Sequence, residues 1–130
     1  MLLYKRLWIK KTFPASTLKP ILRLIHHLIS MKNVRDLFQN ALKLHQNGDL
    51  AAAERSYRKI LEIDPVHVDV LFLLGTLQLQ VGNLDTADTL LKKVILMKPD
   101  YVEAYNALGG VLQKQGKLNE AAEIYRNGLT

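Results

Sequence analysis

The sequence contains no cysteine, which excludes a disulfide framework and any cysteine-ligated metal site. That fits a reducing compartment, and a cytoplasmic location is the expectation. No apolar run approaches the roughly 18 residues that a membrane-spanning helix needs. The apolar residues near the N-terminus are too broken by charge for a secretory signal. Acidic residues are missing from the first 33 positions, where Lys5, Arg6, Lys10, Lys11, Lys19, Arg23 and Lys32 supply seven positive charges. From Val34 onward, 11 Lys or Arg stand against 12 Asp or Glu. The net charge of +6 therefore belongs to a basic leader and not to the body of the chain. A nucleic-acid footprint is not expected: Lys92-Lys93 is the kind of pair a solvated surface carries, without aromatic partners.

What is present is repetition. Gly48, Gly82 and Gly116 are 34 residues apart, as are Leu50, Leu84 and Leu118, and Ala53, Ala87 and Ala121; Pro65 and Pro99 keep the same step. A fixed period of this size signals stacked supersecondary units. The units run 34–67, 68–101 and 102–130, the last being shorter. Each reads as two helices. Leu71, Leu74, Gly75 and Gln78 share one face of the first segment, and Leu84, Ala87, Leu91, Val94 and Ile95 share one face of the second. The intervening glycine supplies a turn and Pro99 ends a helix. Asp100, with Glu103 three residues on, is the expected N-cap of the third unit. Ala41, Gly75 and Gly109 recur where first helices must approach closely, as do Ala53, Ala87 and Ala121 in second helices. Leu37, Leu71, Tyr105, Tyr57, Leu91 and Tyr125 fill the complementary large positions.

These motifs, above all Tyr105-x-x-Leu108-Gly109-x-x-Leu112 followed by Ala121-x-x-x-Tyr125, resemble the tetratricopeptide (TPR) repeat family. Leu71-x-x-Leu74-Gly75-x-x-Gln78 with Ala87 and Pro99 matches next best. Asn40 and Ile60 depart from the family pattern. The resemblance covers 34–130. It implies an all-α fold: a right-handed superhelical array of antiparallel helix pairs, an alpha-alpha solenoid, whose first helices line a concave groove for a protein or peptide ligand. Stacking is required on physical grounds as well, because one hairpin cannot bury its own apolar face. The sides of the first helices turned away from the core carry Arg35, Phe38, Gln39 and Leu42, then Asp69, Phe72, Leu73, Thr76 and Gln80, then Asn106 and Gln113. These are the candidate partner-binding residues. Phe38 and Phe72 could instead pack against the leader helix or between neighbouring units. Chaperone-binding members of the family hold a terminal carboxylate between basic and amide side chains. The matching places here carry Phe38, Leu42, Leu73, Glu103 and Ala107, so no such clamp is expected.

The leader, 1–33, does not continue the repeat. An amphipathic helix is expected over about 20–31, with Ile21, Leu22, Leu24, Ile25, Leu28 and Ile29 in one stripe. The stripe is expected to cap the array. Contact with an anionic membrane surface and an extension preceding a true start at Met31 are the alternatives, and a mitochondrial presequence would share the basic, acid-free character. At the other end, family arrays usually close with an extra helix. Its absence leaves Leu112, Ile124 and Leu129 expected to be partly exposed, and implies either a fragment of a longer protein or dimerisation through the uncapped last helix.

Nothing points to catalysis or to a cofactor. His26 and His27 diverge by about 100° on a helix and cannot share a metal well. His45 lies near a turn and His67 near a helix start, where capping is the expectation. Ser56, Thr76 and Thr86 have no His and acid fixed about them. A protein-interaction scaffold, not an enzyme, is the expected function. The alternative is a substrate-docking arm at the N-terminus of a larger enzyme such as a glycosyltransferase or methyltransferase.

Overall fold

The structure, a computed structural model, describes Lys11 and residues 14–130. Every regular element along these residues is a helix: α1 (Ala15–Gln46), α2 (Leu50–Ile63), α3 (Val68–Gln80), α4 (Leu84–Met97), α5 (Val102–Lys114) and α6 (Leu118–Gly128). The chain divides into two compact units, Met1–Asp36 and Leu37–Thr130.

Within the second unit, helices adjacent in sequence pack together: α2 on α3, α3 on α4, α4 on α5, and α5 on α6. The result is an all-α solenoid of helix pairs. Each pair turns on a glycine with positive φ: 83° at Gly48, 85° at Gly82 and 79° at Gly116. In all three turns the same two bonds close the first helix. The Asp49 N–H donates to the Leu44 carbonyl and the Gly48 N–H to that of His45. Asn83 and Gly82 repeat this on Gln78 and Leu79, and Lys117 and Gly116 on Leu112 and Gln113. This is the Schellman closure, and glycine alone enters its left-handed position without a Cβ penalty.

Helix starts are less uniform. The Asp49 carboxylate accepts from the Ala52 N–H and His67 Nδ1 accepts from the Val70 N–H, so His67 is a capping histidine. The expected cap at Asp100 is not formed. Tyr101 occupies the N-cap position of α5, in phase with His67, and makes no side-chain cap bond. Asp100 falls one residue too early, in the turn that the Tyr101 N–H closes on the Lys98 carbonyl.

The core follows the repeat. Ala41, Ala53, Tyr57, Ile60, Ala87, Leu91 and Val94 are wholly buried. A Cβ placed on Gly75 would lie 3.0 Å from Leu91 Cγ, and one on Gly109 would run into the Tyr125 ring. The small residues thus sit where the opposite helix presents its large one. Leu37, Tyr105 and Tyr125 are only half-buried. Leu112, expected to be partly exposed, is 1% exposed, because it packs with Leu91, Leu108 and Ala121 inside the last two pairs. Ile124 is half-buried and Leu129 is 86% exposed.

The leader differs from expectation in extent. In place of a separate helix over about 20–31, α1 runs 32 residues without a break, and no interruption marks Val34. Pro20 lies in its second turn, where it removes one backbone donor. The Pro14 carbonyl accepts from the Thr17 and Leu18 N–H groups and starts the helix. Ile21, Leu22, Leu24, Ile25, Leu28 and Ile29 are all exposed. Readings of the leader that concern residues 1–10, 12 and 13 lie outside the described residues.

Candidate functional site

The candidate residues of the second unit are all solvent-accessible. Gln39, Asp69, Gln80, Asn106 and Gln113 are exposed, while Phe38, Leu42, Phe72, Leu73 and Thr76 are half-buried. Arg35 is exposed but falls in the first unit and is not grouped with them.

Phe38 and Phe72 make ring contacts between units. The Phe38 ring stacks on His67 with centroids 5.6 Å apart, and Phe72 tilts against Tyr101 at 5.0 Å. The two contacts are one contact repeated: the fifth residue of a unit meets the N-cap residue of the next first helix. Phe72 also packs against both buried clusters around α3, α4 and α5. These rings therefore close the joints between units and offer only part of their surface outward. Each partner of these pairs obeys the 34-residue step, so the pairing was latent in the sequence, but nothing in a linear pattern says that position 38 meets position 67.

Polar side chains cross the joints as well. His45 Nε2 donates to Gln80 Oε1 at 2.7 Å, and in that tautomer Nδ1, 3.0 Å from the Tyr57 hydroxyl, accepts from it. Tyr57 is buried, and burial raises its pKa. The Tyr101 hydroxyl donates to the Asp69 carboxylate at 3.2 Å. Its pKa rises to about 12, first through burial and then through the neighbouring Asp69 charge. Gln78, 1% exposed, donates to Glu54 Oε1 at 2.9 Å and accepts from the Asn83 amide at 2.7 Å. Gln80 and Gln113 are also engaged, the latter accepting from the Tyr125 hydroxyl. Gln39, Leu42, Leu73, Thr76 and Asn106 are then the candidates with neither a side-chain hydrogen bond nor a ring contact to another helix; the Thr76 hydroxyl turns back to the Leu73 carbonyl at 2.9 Å.

No group of three or more His, Cys, Asp or Glu among the described residues could hold a metal ion. No helix among them is long and apolar enough to cross a membrane.

Two family profiles, each described as a tetratricopeptide repeat, match residues 44–108 and 102–130. No curated protein sequence matches significantly. Among solved structures, a mutant O-GlcNAc transferase of Thermobaculum terrenum is 28% identical with a TM-score of 0.73, over 77% of this chain and 19% of that one. MamA is 21% identical with a TM-score of 0.71, over 74% of this chain and 56% of that one. The second TPR of Spaghetti (RPAP3), bound to an HSP90 peptide, is 17% identical with a TM-score of 0.71, over 78% of this chain and 95% of that one. The chain thus spans about a fifth of the transferase and just over half of MamA. With half of its length covered by the first profile and the remainder of the repeats by the second, the chain belongs to the tetratricopeptide repeat family.

Proposed function

We propose that the protein is a non-catalytic cytoplasmic scaffold that holds a peptide segment or helix of a partner along the outward faces of α1, α3 and α5. The observation that carries this reading is the row of accessible apolar and amide side chains on these three helices: Phe38, Gln39 and Leu42, then Phe72, Leu73 and Thr76, then Asn106 and Gln113, none of them buried. Such a mixed face suits a guest that offers apolar side chains and unpaired backbone amides. Asp69 and Gln80 flank it. Both TPR domains of Spaghetti are seen with an HSP90 peptide, which supports a peptide-sized guest. The places that would hold a terminal carboxylate carry Phe38, Leu42, Leu73, Glu103 and Ala107. None donates a hydrogen bond from its side chain, so the guest is held by its interior and not by its terminus.

The test is capture of a partner from native lysate by Leu42→Glu/Leu73→Glu against wild type, with Lys93→Glu on α4 as control. The double variant is expected to lose the captured protein while its helical circular dichroism and melting persist. Equal capture by all three forms would refute the assignment.

A second reading has one observation in its favour, the likeness at 28% identity to a glycosyltransferase. In that case the repeats dock substrates for a catalytic domain in the same polypeptide. Sequencing the transcript beyond the Thr130 codon decides between the two.

A further inference from the structure

The leader stripe has no part in the proposed partner site, and its own chemistry points elsewhere. We infer that the N-terminal part of α1 is a docking surface for an anionic lipid bilayer, on which it lies parallel to the membrane plane. Ile21, Leu22, Leu24, Ile25, Leu28 and Ile29 are between 43 and 58% exposed. At 3.6 residues per turn they occupy about half of the helix circumference. Lys19, Arg23, His26, His27 and Ser30 occupy the other half, and the four titratable side chains among them are exposed too. A helix divided in this way buries its apolar half at the headgroup boundary and keeps its cations in water.

Charge selects the occupant. The first 33 residues hold seven Lys or Arg and no Asp or Glu. A second copy of this chain seated on the stripe would bring two acid-free, cationic segments together, and their repulsion opposes it. A surface of anionic headgroups offers the opposite sign along the whole segment, and an apolar face combined with a cationic segment gives the two signals that stable peripheral binding requires. The stripe is also wholly aliphatic and lacks any acid that an anionic surface would repel.

The experiment is flotation of the full chain with vesicles of phosphatidylcholine alone and of equal parts phosphatidylcholine and phosphatidylserine. Wild type is expected to float with the mixed vesicles, to remain behind with phosphatidylcholine, and to be released by molar salt. Ile25→Asp/Leu28→Asp and Lys19→Glu/Arg23→Glu are each expected to lower the bound fraction about tenfold or more. Circular dichroism melting of the repeats should be unchanged in both. Absence of flotation, equal flotation with both vesicles, or flotation untouched by both variants would overturn the inference. So would a wild-type dimer in sedimentation that Ile25→Asp/Leu28→Asp converts to monomer, since the stripe would then belong to a second copy. None of these outcomes depends on the partner face of α3 and α5, so the two readings fail separately.

Discussion

Gly75 and Gly110 are both helical glycines, and their surroundings set opposite consequences for the same substitution. A Cβ on Gly75 meets the Leu91 side chain at 3.0 Å, while one on Gly110 finds nothing nearer than Leu79 Cδ2 at 3.9 Å. Alanine gains up to about 1 kcal/mol over glycine in a helix interior, and overpacking a tight core costs about 1–3 kcal/mol. Leu91 is wholly buried, so a side chain pressed on it is resisted by the core around it. Gly110→Ala is therefore expected to raise the urea midpoint and Gly75→Ala to lower it. Ionisation is a second property of single residues here. Tyr57 and Tyr101 both have raised pKa values, Tyr101 to about 12 against an ordinary 10.0. A raised pKa means that the neutral form is favoured by folding. The stabilisation is fully present below pH 10.0 and is lost as pH rises through about 12. Absorbance titration should show Tyr57 and Tyr101 ionising above the ordinary 10.0, with a melting temperature that falls above pH 10.0. The glycine and alanine positions were legible in the sequence because close helix crossings leave a strict signature of size at a fixed step.

At the level of elements, α3 is the central strut, packed on α2, α4 and α5. Its one buried polar side chain, Gln78, stands where the third unit carries Leu112 and where both are 1% exposed. Gln78 spans from Glu54 of α2 to Asn83 at the start of α4. Both of those partners reach solvent, so water can replace the lost bonds. Gln78→Leu is accordingly expected to change stability by less than about 1 kcal/mol, since removing a bond between groups that can be rehydrated is nearly neutral. Gln78→Ala leaves a void and is expected to cost about 2 kcal/mol or more; chemical denaturation separates the two. The sequence placed Gln78 on the core face but could not show how its amide is satisfied, because the partners lie 24 residues before it and 5 after it. Helix α1 shows the reverse limit. Its apolar stripe was legible, yet its length was not, because no glycine or proline separates 20–31 from the residues that follow. The cap expected at Asp100 also failed by one residue, since cap position is fixed by turn geometry that composition does not encode.

From α2 to α6 each helix packs on its neighbour in sequence, and α3 also reaches α5. Stability in such an array is a sum of local pair and joint terms, and that locality is why a period of 34 residues sufficed to read the fold. The proposed partner face was only half legible. Periodicity marked which side of the first helices turns outward, but Phe38 and Phe72 proved to be shared with the joints, where they meet His67 and Tyr101. The same period that lays out the fold thus leaves a line of accessible residues on α1, α3 and α5. Photo-crosslinking probes placed singly at Gln39, Leu73 and Asn106, and as controls at Glu62, Lys93 and Glu123 on the second helices, test directly whether that line holds a guest. The account predicts that one partner protein, identified by mass spectrometry, is trapped from the first three positions and from none of the controls. Trapping from the second helices, or from no position at all, would contradict it.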